Sequence, residues 1–278
     1  MKLYISADIE GVAGVTTRDQ GGPEGFEYDK GREWMTGEVR AACEGASVGG
    51  ASEIVISDSH GNGQNLRIDD LPEDVRVIRS WPRPLGMMEG IQEGGFDAAF
   101  FIGYHAGATN TAGNLAHTIY GLVIRSVRIN GEIASEAYLS AATAGDYDIP
   151  VALISGDDAF IAETAAFLPS ATTVTTKQAL GTLSASSISP TKSRALIREA
   201  ARQAMTTVAE PESSAKPLRV PAPITLEIEF KHRLPAELLD YLPNVSRRHA
   251  YAIEYEATDM SDVSRFLSFV TSYNPMLL

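Results

Sequence analysis

The first half of the chain is a series of short apolar runs, and each one stops abruptly at acids, histidine or glycine. Lys2 to Gly11 is the first of them. Leu3, Ile5 and Ala7 fall on one side of an extended strand, and Tyr4 and Ser6 on the other. The run ends in Asp8, Glu10 and Gly11, and a spacing of two leans both carboxylates the same way in extended backbone. Residues 53–60 repeat the design and end in Asp58-Ser59-His60, and residues 98–105 end in His105. Residues 75–78 form a short strand, and 150–158 a buried one that closes on Asp157-Asp158. Helical spacing separates these runs over 29–47, 84–94, 136–145 and 159–167, and a Thr/Val strand follows at 171–175. Residues 11–28 form a Gly-rich loop directly after the acid pair, longer than unstructured loops usually are unless they serve function.

A different pattern begins at 115–134, where Asn130-Gly131 between apolar positions signals a hairpin. From about residue 176 the texture changes again. A Ser/Thr-rich loop (181–191) leads to a helix (191–208), and Glu210–Pro223, with four prolines, reads as a connector. The strands 224–230 and 251–256 alternate cleanly, as a sheet with one wet face does; a short helix closes near 238–242 and a last one covers 260–272. The expectation is an α/β protein. Residues 1–175 carry a mostly parallel sheet flanked by helices, and residues 176–278 form a smaller C-terminal α+β domain that serves oligomerisation and walls the pocket.

Composition narrows the partners. With 278 residues, 44% of them hydrophobic, the chain can bury a substantial core. A formal charge of −13 repels nucleic acid and anionic membrane, and no apolar run is long enough to span a bilayer. One cysteine, Cys43, allows no intrachain disulfide and reads as packing. The absence of a charged-then-apolar leader makes a cytoplasmic address the expectation.

Asp8, Glu10, Asp58, His60 and His105 stand at the carboxyl ends of three runs. In an open parallel sheet, ligands collect beyond those ends. Carboxylate and imidazole are the usual ligands of catalytic zinc. The blander reading makes these residues solvated turns and hydrogen-bonded strand ends. Asp157, just before Ala159-Phe160-Ile161, suits a helix N-cap. His232 and His249, and the basic group Lys231, Arg233, Arg247 and Arg248, read as a solvated face of the C-terminal unit.

Taken together, Ser6-Ala7-Asp8-Ile9-Glu10-Gly11, Asp58-Ser59-His60, Gly103-Tyr104-His105-Ala106, Ala116-His117-Thr118 and Ser135-Glu136-Ala137 resemble the D-aminopeptidase family of zinc peptidases, the M55 group associated with a dipeptide-transport operon. The resemblance is strong to Asp158 and weaker beyond it. Position by position it implies metal ligands at Asp8, Glu10, His60, His105 and Glu136, and a catalytic histidine at His117. Residue pattern alone does not choose between Glu132 and Glu136, and reads His117 as an ordinary loop histidine. Ser57 and Ser135 depart from the family pattern.

Three carboxylates against two divalent ions and a bridging hydroxide balance in charge, so two Zn2+ per subunit are expected, with Asp8 shared between them. The resemblance further implies removal of an N-terminal, D-configured residue from short peptides, and a ring-shaped homo-oligomer, a decamer. His117 then stabilises the oxyanion or shuttles a proton to the leaving amine. A two-metal phosphoesterase and a non-catalytic peptide- or metal-binding module are the competing readings. The first calls for basic residues near the metals, and the motif loops offer few.

Overall fold

The computed structural model describes residues 1–273. In chain order its elements are β1 (Lys2–Ala7), α1 (Arg18–Gly21), α2 (Tyr28–Val48), β2 (Glu53–Asp58), β3 (Val75–Ile78), β4 (Ala98–Tyr104), β5 (Ile124–Ile129), β6 (Glu132–Ile133), α3 (Glu136–Asp146), β7 (Val151–Asp157), α4 (Asp158–Thr164), β8 (Thr172–Gly181), β9 (Ser184–Ser187), α5 (Pro190–Val208), β10 (Ile224–Phe230), α6 (Arg233–Leu239), β11 (Val245–His249), β12 (Ala252–Ala257) and α7 (Met260–Ser272).

Two sheets result. The larger runs β3-β2-β1-β4-β7-β8-β9 and is parallel except for its last strand. The smaller, antiparallel sheet runs β11-β12-β10-β5-β6. The α/β class expected from the pattern is therefore present. The two sheets do not part at residue 175, however: β8 runs through that position, β9 follows it in the larger sheet, and β5 and β6 belong to the smaller sheet. Alternation alone does not say which sheet a strand joins, and β5 meets β10 only after a long excursion of chain. The segment 84–94 is two 3-10 turns rather than one helix, the loop 181–191 contains β9, and β11 is an additional strand.

The faces of β1 divide as the alternation predicts. Leu3, Ile5 and Ala7 pack with α2 and α5 residues such as Met35, Val39, Ile197 and Ala201, while Tyr4 faces Phe101, Tyr104 and the opposite layer. Burying each such large side chain stabilises the fold by about 1.5–3 kcal/mol. Cys43 lies in the first of these layers, fully buried. The small residues of α3 are explained by its place between the sheets: Ala137, Ala141 and Ala144 face the larger sheet, Leu139 and Ala142 the smaller. At the predicted hairpin turn, Asn130 and Gly131 both take positive φ (50° and 85°) between β5 and β6. No helix among the described residues is long and apolar enough to cross a membrane.

The chain enters β2 one way from β1 and returns to β4 on β1's other side, so the topological switch lies between β1 and β4. There the two backbones nearly touch. The Asp8 amide donates to Ile102 O (2.8 Å) and the Gly11 amide to Gly103 O (2.7 Å). A Cβ on Gly11 would collide with the Tyr104 carbonyl, and one on Gly103, which sits at φ +75°, with the Asp8 carbonyl.

Beneath this junction α2 buries an acid. Glu38 Oε1 accepts from the Ala13 amide (3.0 Å) and from Ser193 Oγ (2.7 Å) on α5. Burial pushes its carboxyl up to about 7. Between the ordinary value near 4.5 and that figure, the folded chain holds a proton that the unfolded chain has released. The resulting stability is fully present below about pH 4.5 and is lost as pH rises to about 7. Glu38→Gln should therefore lose about 1–3 kcal/mol less than the parent between pH 5 and pH 8, read from urea denaturation with chelator present. Identical pH slopes for the two chains would show that Glu38 is ionised in the fold.

Candidate metal centre

The switch point gathers what the sequence scattered. Asp8 and Glu10 follow β1, His60 follows β2, His105 follows β4 directly, and Glu136 is the first residue of α3, after the Ser135 cap. His117 comes from the loop before β5. Glu132 is exposed on β6, whereas Glu136 is buried beside His105.

His60 Nδ1 lies 3.2 Å from Asp8 Oδ1 and 2.9 Å from Glu10 Oε2. His105 Nε2 lies 3.5 Å from Asp8 Oδ2 and 3.4 Å from Glu136 Oε1. His117 Nε2 lies 3.6 Å from Glu136 Oε1 and 3.9 Å from Glu10 Oε1. Asp8 thus presents one oxygen to each of two groups able to hold an ion, Asp8–Glu10–His60 and Asp8–His105–Glu136. A third possible group, Glu10–His105–His117, overlaps both.

Each histidine is oriented from behind. His60 Nε2 donates to Gly21 O (2.5 Å), His105 Nδ1 to Ala106 O (2.9 Å) and His117 Nδ1 to Leu115 O (2.9 Å). A carbonyl only accepts, so each outer nitrogen keeps its hydrogen and the inner nitrogen is turned on the acids. Asp8 Oδ2, Glu10 Oε2 and His105 Nε2 are buried without a hydrogen-bond partner among the described residues. Two donors on one tetrahedral zinc, each at about 2.0–2.2 Å, stand about 3.2–3.6 Å apart. The His105–Asp8 and His105–Glu136 separations of 3.5 and 3.4 Å fall in that range. The donor set therefore fits a zinc-like cation.

The electrostatics agree. Burial, then repulsion from Glu10, raises Asp8 to about 7. Burial alone would raise Glu10 and Glu136 as well, but the facing histidines hold both below the usual carboxylate range. Burial would lower His60 and His105; the surrounding acids outweigh it and raise both. The cluster thus draws protons to itself, and a divalent ion competes for the same positions.

The supporting residues were partly legible in the sequence. Asp58 does not touch the His60 ring. It accepts from the Asn65 and Leu66 amides (2.6 and 2.8 Å) and from Asn65 Nδ2 (2.7 Å), which also reaches His60 O (2.7 Å). Ser57, one departure from the family pattern, accepts from buried Arg83 (2.8 Å), and Ser135, the other, caps α3 by accepting from the Tyr138 amide. Asp157 is the N-cap of α4, as its position suggested. Arg248 pairs with Glu254 (3.3 Å) and Glu227 (3.8 Å), and Arg247 with Glu237 (3.8 Å), away from the centre. Asn65, Glu38 and Lys177 carry no such signal in the sequence. Asn65 lies in a Gly/Asn loop where a conventional turn residue looks the same, Glu38 in an ordinary helix, and Lys177 past the expected end of its strand.

Strand-end acids and histidines around a parallel-sheet switch point, with a donor set suited to zinc, define a metallohydrolase-like centre. Residues 1–269 match the M55 peptidases, described as D-aminopeptidases, and the chain belongs to that family. A D-aminopeptidase of Bacillus subtilis (strain 168) is 32% identical over 276 residues, spanning 98% of this chain and 97% of that protein. The solved structure of the Zn-dependent D-aminopeptidase DppA from Bacillus subtilis, described as a self-compartmentalizing protease, superposes with a TM-score of 0.89 at 29% identity, over 98% of this chain and 97% of that one.

Zinc added to chelator-treated protein should raise its melting temperature, with about 2.7 kcal/mol of stabilisation at a hundredfold excess over Kd. His105→Ala should lose most of that gain. An unchanged zinc-dependent shift in the variant, read by calorimetry, would remove His105 from the ligand set.

Proposed function

We propose that this chain is a dinuclear zinc aminopeptidase that removes the N-terminal residue, D-configured by preference, from short peptides. Asp8, Glu10 and His60 would hold one ion, and Asp8, His105 and Glu136 the other. The observation that carries this reading is the shared Asp8: its two oxygens face two separate histidines, each held from behind by a backbone carbonyl. When bound, such a pair of ions supplies an acidified shared water and a Lewis acid for the peptide carbonyl.

The chain's own residues do the rest. His117 is the site histidine most open to solvent, its side chain 27% exposed against 13% for His60 and 1% for His105, so it is the one a substrate reaches. Its ring stacks on His105 at 4.2 Å between centroids, and the Leu115 carbonyl holds Nδ1, which leaves Nε2 to exchange a proton. His117 Nε2 takes a proton from the attacking water and passes it to the leaving amine as the C–N bond breaks. The negative charge of Glu10 and Glu136 attracts the substrate's N-terminal ammonium. The phosphoesterase reading finds little support, because Lys177, the one buried lysine among the described residues, spends its hydrogens on backbone carbonyls.

His117→Ala should retain zinc while turnover on short D-peptides falls at least about a hundredfold, a loss typical of a missing acid–base group. The assay is release of free amino acid from matched D- and L-peptides, with metal content measured in parallel. Full activity in the variant would take His117 out of the reaction, and release from no peptide of either hand by the zinc-loaded parent would sink the peptidase reading.

The relative described as self-compartmentalizing supports assembly here too; the family resemblance implies a ring-shaped homo-oligomer, a decamer, with centres facing an enclosed space. Leu234, Leu238 and Tyr241, exposed in the C-terminal unit on and just after α6, support that unit's part in assembly. Light scattering should give about ten copies; a monomer at micromolar concentration would contradict the assembly.

A further inference from the structure

Behind the centre, β8 carries a lysine that neither sheet packing nor surface charge explains. Lys177 is only 1% exposed. Its Nζ donates to the carbonyls of Glu10 and Val15, the two ends of the turn that leaves β1. The preceding residue grips the same turn, since Thr176 Oγ1 donates to the carbonyls of Gly11 and Gly156. From the other side Glu38 Oε1 accepts from the Ala13 amide at 3.0 Å. Within itself the turn has little to hold it: Val12 N to Ile9 O (3.1 Å) and Val15 N to Val12 O (3.2 Å) are its internal backbone bonds.

Inward-facing carbonyls demand donors. An ammonium, with three hydrogens on one atom, serves two of them from a single side chain. Burying that charge is costly, and the acids around it, Asp157 and Glu10 foremost, offset the cost. The β7–β8 register shifts between Gly156 and Asp157, where Lys177 pairs, so the bulge aims consecutive residues 176 and 177 at the same turn.

We propose that Lys177 is a positioning residue: by fixing the backbone of residues 10–15 from inside the protein, it sets where the Glu10 carboxylate stands and so forms the Asp8–Glu10–His60 position. This rests on the two-metal reading above. The partner position does not depend on the grip. Asp8 is fixed by its own amide on Ile102, His105 by β4 and Ala106, and Glu136 by the start of α3. Loss of Lys177 therefore weakens one position and spares the other, whereas a general loosening of the fold weakens both.

The test strips parent, Lys177→Met and Thr176→Val proteins with chelator, reloads them with zinc, and titrates them against a chromophoric chelator with total metal counted. The parent should hold two ions. Lys177→Met should hold one at parent affinity and the other about 10–100-fold more weakly, the usual effect of removing a group behind a ligand. Thr176→Val, which deletes only a hydroxyl, should weaken the same ion by a smaller factor, and it decides the matter by the same criterion if Lys177→Met gives no cooperative melt. Two ions at parent affinity, or equal weakening of both, overturns the role of Lys177 alone. A parent that holds fewer than two ions overturns the two-metal reading, and this inference with it.

Discussion

Three carboxylates share one buried space, and the molecule is built around making that tolerable. Asp8, Glu10 and Glu136 lie within reach of one another's fields with almost no solvent between them. Like charges at such separations, in a medium less polarisable than water, repel strongly unless something positive lies among them. Three imidazoles answer this need in a form that protons or a metal can satisfy. Each has its far nitrogen fastened to a carbonyl of its own loop, and each turns its near nitrogen on the acids. The loops that supply those carbonyls are thus as much part of the centre as the rings. An arrangement that merely stabilised the fold would use arginine or lysine, whose charge is permanent. Histidine gives up its proton to a metal and leaves a lone pair in place.

The acids come from separate layers, so the fold has to deliver them to one point. Asp8 and Glu10 arrive because β1 and β4 run closer than side chains allow, an approach open only to Gly11 and Gly103. Glu136 arrives by a different route. It heads a helix of small residues wedged between two sheets, and both sheets fix that helix in place. The smaller sheet is therefore no appendage. It covers the outer face of α3 and holds the first turn, with its carboxylate, against the end of β4.

Much of this was legible in the residues because strand geometry is periodic. Leu3, Ile5 and Ala7 against Tyr4 and Ser6 fixed the faces of β1, and runs that broke off in Asp8, His60 and His105 pointed to one crevice once the strands were neighbours. The Asn130-Gly131 turn and the Asp157 cap carry local chemistry that no tertiary contact overrides. Glu136 was not separable from Glu132 on pattern, because the choice depends on β5 pairing with β10, nearly a hundred residues on, which turns β6 outward. Lys177 was hidden for a related reason: a lysine in a Thr-rich strand looks solvent-facing until the turn it supports is seen above it.

The loop that carries His117 shows how the parts are coupled. Leu115 and Ile119 bracket the histidine, and both take positive φ (55° and 59°), a conformation that is rare for a leucine and costly for a β-branched isoleucine. Such strain, about 1–3 kcal/mol per residue, persists only where surrounding contacts outweigh it. One of those contacts is Glu136 Oε1, which accepts from the Ile119 amide at 2.6 Å. The same oxygen stands 3.4 Å from His105 Nε2 and 3.6 Å from His117 Nε2. A single carboxylate atom at the start of α3 thus faces both His105 and His117 and anchors the far end of the His117 loop. On the proposed assignment, an ion that drew on Glu136 would also act on the anchor that keeps His117 in its strained posture, so the proposed metal position and the proposed acid–base residue would be set by one contact rather than two.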